Sequence, residues 1–195
     1  MTALAMNPDK RREYPPGDLA IWVFIYAELL VFGVFFLAYA FARARNVELF
    51  NESQLSLDRT FGAINTVALI TSSYFVVRSV AAIRAGAHHR CARWLFAGMG
   101  MGGLFLAVKV MEFSDKLGQG ITLSTNTFYM FYLSLTWFHF LHVVMGMVIL
   151  AVVAMKARRG GYTAEAHQGV ETGASYWHMV DLVWLILFPL VYVMR

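Results

Sequence analysis

"FIYAELLVFGVFFLAYAF", Phe24 to Phe41, is an eighteen-residue run with one acidic residue, Glu28, and no basic one. A hydrocarbon core about 30 Å thick takes about 20 residues of helix to cross. With its apolar flanks, from residue 19 to 42, the stretch therefore predicts a membrane-spanning helix and an all-α fold. Four more runs of that kind lie at about 61–83, 91–113, 128–154 and 174–194, so the expectation is a polytopic five-helix bundle over residues 19–195.

Composition agrees, with 59% hydrophobic residues, 14% charged and a mean hydropathy of +0.57. The connections 43–60, 114–127 and 155–173 are too short for a soluble domain. Residues 1–18 carry Lys10, Arg11, Arg12, Pro15 and Pro16 without a small-residue cleavage pattern, and read as a cytoplasmic segment before a retained first helix. The basic residues sit in short loops between apolar runs, which argues against nucleic acid as a partner. Lys10, Arg11, Arg12, Arg84, Arg90, Arg93, Lys156, Arg158 and Arg159 fall on one side; Arg43, Arg45, Arg59, Lys116 and Arg195 fall on the other. The excess of cations predicts a cytoplasmic N-terminus and an external C-terminus. The single cysteine, Cys91, excludes an internal disulfide and any CxxC metal motif.

Depth gives the polar residues their meaning. Glu28 lies about 14 Å along the first helix at 1.5 Å per residue, near the bilayer middle. An ionised carboxylate there costs about 3 kcal/mol or more, so either a protonated acid or a bonded partner is expected, as a proton relay or as a packing group. His139 and His142 are three apart and share a helix face, as do His178 and Asp181. Glu28, His142, His178 and Asp181 are expected to form one buried polar cluster in which the His178–Asp181 pair orients the imidazole. A bis-histidine haem using His139 or His142 with His178 is the sharper alternative.

Lys109 and Glu112 are one turn apart, as a membrane-embedded ion pair or with the lysine snorkelling outward. Arg78, near the cytoplasmic end of the second span, can snorkel or hold an anionic lipid head group. Asn65 and Thr66 are placed for bonds across helices. Gly98 and Gly102 have GxxxG spacing and mark a close-packing face, with Gly146 and Gly33 read the same way. Pro189 should kink the last helix near its outer end, unless neighbours satisfy the freed carbonyl. No nucleotide loop, HExxH or GxSxG occurs, and no nucleophile has a base beside it, so no catalytic residue and no metal site is assigned.

Together the motifs resemble subunit III of the haem-copper oxidase superfamily over residues 18–194. "FIYAELLVFGVFFLAYAF" resembles the family's Glu-bearing third helix through Glu28, and "INTVALITSS" the next helix through Asn65 and Thr66. "KVMEF" resembles the Glu-aromatic segment through Glu112 and Phe113, although Lys109 stands where glutamine is common. "FHFLHVVMG" matches through His139, His142 and Gly146, and "VETGASYWHMVDLVW" through Glu171, Tyr176, Trp177, His178, Asp181 and Trp184.

Members with seven helices have two before the point where this chain begins, so five helices equivalent to the third to seventh are implied. The opening "YPPGDLAIWVFIYAELL" is most similar to NorE-type accessory proteins of nitric oxide reductase; some terminal oxidases also have a short subunit III. The resemblance implies a non-redox accessory subunit in a bacterial inner membrane. It would hold structural phospholipids and pack against a catalytic subunit that carries the haem and metal. A proton-conducting channel or transporter is the competing class, because intramembrane Glu, His and Asp also mark proton paths.

Overall fold

The structure, a computed structural model, describes residues 17–194; residues 1–16 and Arg195, which include four of the cations used above to orient the chain, lie outside the described residues. The elements are α1 (Leu19–Arg45), α2 (Val47–Leu55), α3 (Arg59–Arg84), α4 (His88–Gly118), α5 (Thr127–Arg158) and α6 (Gln168–Phe188), followed by a π-helical turn, Pro189–Val193. Five helices are long and apolar enough to cross a membrane, the last combining α6 with the π-turn.

Local chemistry sets the ends. Asp18, Asp58 and Asn126 cap α1, α3 and α5 by accepting from Ala20 N at 3.4 Å, Thr60 N at 2.7 Å and Tyr129 N at 2.9 Å. Gly86 and Gly160, at φ 72° and 73°, terminate α3 and α5, and the residue after each donates back to the carbonyl five positions earlier, at 2.9 Å in both cases.

α3 to α6 pack around one core, whereas α1 leans on the outside of α6 and α5. It is buried only at Ile25, Phe32 and Tyr39, a single stripe of seven-residue spacing. The short α2, in a connection where no helix was expected, is amphipathic and buries Phe50 and Gln54 completely.

At Pro189 the backbone widens into the π-turn, closed by Met194 N on Pro189 O at 2.9 Å. Carbonyls freed by that change would be orphans in hydrocarbon. Donors from α1 and α2 satisfy them: the Gln54 amide reaches Val191 O at 2.9 Å, Tyr39 OH donates to Leu190 O at 3.2 Å, and Arg43 donates to Met194 O. The α2 segment is itself held by Lys116 Nζ on Ser56 O at 2.8 Å and by the Ser56 and Tyr129 hydroxyls at 2.6 Å.

Gly98 and Gly102, on one face of α4, are close-packed against different neighbours. Gly98 meets α3, where Ser72 Oγ donates to Gly98 O at 2.7 Å. Gly102 meets Trp177 and Met147; a Cβ there would lie 2.8 Å from Trp177 Cη2, and one at Gly146 would lie 2.8 Å from Trp177 Cε3. The fully buried Trp177 ring thus fills a slot whose walls are the two glycines. Gly33, Gly100 and Gly103 would have nothing within 4 Å of an added Cβ. Thermal unfolding in detergent should therefore show Gly146→Ala and Gly102→Ala losing about 1–3 kcal/mol through overpacking, while Gly100→Ala is neutral or slightly stabilising.

Candidate functional site

Three polar constellations lie within the spans. At the first, Glu28 Oε2 stands 3.0 Å from His142 Nε2, joining α1 to α5, with side chains 19% and 9% exposed. His142 Nδ1 is 2.8 Å from Phe138 O. A carbonyl can only accept, so Nδ1 carries its hydrogen, and the Nε2–Oε2 hydrogen bond needs one further proton, on either atom. The pair is thus a neutral acid with a neutral imidazole, or an imidazolium with a carboxylate. Phe32 and Phe138 rings flank the imidazole at 5.3 and 4.6 Å, and Tyr176 OH donates to His142 O at 3.2 Å.

The second constellation lies between α6 and α3. His178 Nδ1 is 2.5 Å from Ser73 Oγ but 3.7 Å from Asp181 Oδ2, too far for a hydrogen bond. Ser73, not Asp181, fixes this ring. The His178 side chain is also 36% exposed, so the four expected cluster members divide into two pairs of different character instead of one sealed group.

The third constellation was not anticipated as a unit. Lys109, with no exposed surface, places Nζ 3.0 Å from Glu112 Oε2 and donates to Tyr192 OH at 2.8 Å. Tyr132 OH and Tyr192 OH each donate to Glu112 Oε1 at 2.6 Å. The ammonium is 5.2 Å from the centroids of both Phe113 and Trp184. Lys109 does not snorkel; it is the charged centre of a cage built by α4, α5 and the π-turn. Its signal in the sequence was the 109/112 spacing, but nothing there tied Tyr132 and Tyr192 to it.

Of the remaining motif residues, Thr66 and Glu171 serve as ties, whereas Asn65, expected to bond across helices, does not. Thr66 Oγ1 accepts from Trp184 Nε1 at 3.0 Å and donates to Gly62 O at 2.8 Å. Glu171 takes Arg84 at 2.7 Å and His167 at 3.2 Å, joining the start of α6 to the end of α3. His139 is fully buried, stacked on Trp184 at 5.3 Å with Phe105 edge-on at 5.6 Å, and neither ring nitrogen has a partner among the described residues. The same holds for both amide atoms of Asn65. With both nitrogens of His142 engaged, the geometry gives no support to a bis-histidine haem built on it. Among the described residues no three His, Cys, Asp or Glu side chains converge as metal ligands.

Long apolar helices, tied internally by polar pairs, define an all-α polytopic membrane protein. The family profile described as cytochrome c oxidase subunit III matches residues 18–195, and the chain belongs to that family. It is 34% identical over 195 residues to cytochrome c oxidase subunit 3 of Thermostichus vulcanus, covering 99% of this chain and 94% of that one. It is also 32% identical to the subunit of the same name from Synechocystis sp., covering 100% and 88%. The heme-copper oxidase subunit I+III of Aeropyrum pernix is 30% identical, covering 89% of this chain and 22% of that protein.

Lys109→Met should leave Glu112 buried without a countercharge and cost about 3–5 kcal/mol, seen as a lost folded yield or a lowered unfolding midpoint. Lys109→Gln should be milder, since its amide still donates to Glu112 or Tyr192.

Proposed function

We propose that the chain is a non-redox accessory subunit that packs against and stabilises the catalytic subunit of a haem-copper superfamily respiratory enzyme. Family membership and the names of its relatives support this reading. The observation that carries it is the use made of the intramembrane ionisable groups. Glu28, His142, Lys109, Glu112 and Glu171 each bind a side chain on another helix or within a closed cage. They brace helices, and among the described residues no three His, Cys, Asp or Glu side chains converge as an open ligand set. The haem and metal belong to the partner, and this chain binds none.

The membrane is a bacterial cell membrane, with the N-terminus cytoplasmic and the C-terminus periplasmic, from the distribution of basic residues. Structural phospholipids and small uncharged gases have room in the apolar cleft of about 530 Å³ lined by Phe35, Phe113, Leu133, Trp137 and Phe138. α1 offers the partner or the lipid an apolar face that includes Leu30, Val34, Leu37 and Phe41.

Nitric oxide reductase is the enzyme favoured by the NorE-like stretch "YPPGDLAIWVFIYAELL". A second reading, subunit III of a terminal oxidase that supports proton uptake and assembly, is favoured by the relatives' names. The 94% coverage of the first relative adds to it, since a chain of this size carries the oxidase name.

Affinity purification from native membranes in mild detergent tests the proposal. A haem-containing catalytic subunit should co-elute, the isolated chain should show no Soret band, and oxygen or nitric oxide consumption by the complex distinguishes the two enzymes. Repeated recovery of this chain alone would overturn the accessory role. Proton flux in liposomes holding only this chain, abolished by Glu28→Gln, would place it among channels.

A further inference from the structure

One stripe of the α6 surface is left at least partly uncovered: Glu171, Ser175, His178, Leu182 and Leu185, spaced by four and three residues in turn, with Asp181 at its edge. The stripe is not uniformly apolar, and its polar groups lie deep. The span from Gln168 to Val193 has 26 residues. At 1.5 Å per residue, His178 stands about 15 Å and Asp181 about 20 Å from its start, close to the middle of the span.

The hydrogen-bonding capacity of these groups is only partly used within the chain. Ser73 Oγ engages His178 Nδ1 at 2.5 Å, but Nε2 has no partner among the described residues, and the Asp181 carboxyl has only its 3.7 Å approach to Nδ1. A cavity of about 260 Å³ runs beside them, between Val77 and Val80 of α3 and Ser175 and His178 of α6, with the Arg84–Glu171 ion pair among its walls.

The outer face of α1 is different. Leu30, Val34, Leu37 and Phe41 are exposed and apolar, and Glu28 is already bonded to His142. Acyl chains cover such a face without loss of hydrogen bonds. They cannot do so on α6, because hydrocarbon offers a polar group no partner, and ionisable side chains at that depth face protein. A second copy of this chain fits poorly. A two-fold axis along the membrane normal would set His178 against His178 and Asp181 against Asp181 at equal depth.

We infer that the groove between α3 and α6 is the face on which the catalytic subunit docks. The covering element is a transmembrane helix that places an amide or hydroxyl side chain, able both to donate and to accept, opposite His178 and Asp181. This rests on the accessory-subunit reading and assigns it a surface.

The test is photo-crosslinking of the assembled complex in native membranes. A benzophenone-bearing amino acid replaces Leu182, 46% exposed on the α6 stripe, or Leu37, 64% exposed on α1. The probe at Leu182 should form an adduct with the catalytic subunit, identified by mass spectrometry, and the probe at Leu37 should not. Asp181→Leu gives a second readout. Asp181 holds no hydrogen bond among the described residues, so the isolated variant should unfold in detergent at the same temperature or higher. Recovery of the catalytic subunit with it should nevertheless fall about tenfold, the effect of one intramembrane polar contact. Adducts at Leu37 but not at Leu182, adducts at Leu182 with a second copy of the chain or with phospholipid alone, or full recovery of the complex with Asp181→Leu would each overturn the inference. A wild-type purification that recovers no catalytic subunit would overturn the accessory reading as well, whereas a recovered complex with adducts only at Leu37 overturns the assigned face alone.

Discussion

The buried Lys109–Glu112 pair is the interaction on which the arrangement of the last two spans depends. Two opposite charges withdrawn from water are tolerable only when their remaining hydrogen-bonding capacity is filled. Here the filling comes from elsewhere in the chain: Tyr132 on α5 and Tyr192 on the π-turn both donate to one oxygen of Glu112, while the ammonium takes the other. A charge pair local to α4 therefore fixes the axial position of α5 and the rotation of the chain end. In a bilayer the hydrophobic effect gives helices little reason to choose one register over another, so such polar contacts and close backbone approach supply the specificity.

The π-turn is the second half of the same design. A continuous α-helix through Pro189 would lack one donor, and its carbonyls would face hydrocarbon. The wider turn brings Tyr192 to Glu112 and hands its free carbonyls to Tyr39, Arg43 and Gln54. The small helix α2 acts as a bolt across the end of the bundle that holds the π-turn: Phe50 packs edge-on against Tyr39 and Phe128, at 5.3 and 5.5 Å, while Gln54 satisfies the turn. The Trp177 slot between Gly102 and Gly146 performs the corresponding fastening within the spans, by shape alone.

The spans were legible because crossing hydrocarbon imposes a length and a composition that no folding detail can override, and five helices meet that requirement. The Glu28–His142 contact was legible too, since depth placed both groups near one level. Pairings that depend on helix rotation were not. His178 and Asp181 share a face, yet Ser73, an unremarkable residue in the run of α3, lies closer to the imidazole. Tyr132 and Tyr192 carry no sequence signal that ties them to Glu112, since only the course of α5 and the π-turn brings their hydroxyls to it. α2 escaped notice because nine residues with mixed polarity leave no span-length signal.

The thin attachment of α1 has a consequence for biosynthesis. Its central polar contact is with a residue 114 positions later in the chain, a gap that takes roughly 6 to 23 seconds to translate at about 5–20 residues per second. During that interval α1 is already made, while neither His142 nor the Phe138 and Phe131 rings of α5 that receive Phe32 and Tyr39 exist. The carboxyl group of Glu28 must be carried without its imidazole by whatever surrounds the nascent helix. The seat of α1 therefore comes into being only once α5 and α6 have been made, long after α1 itself.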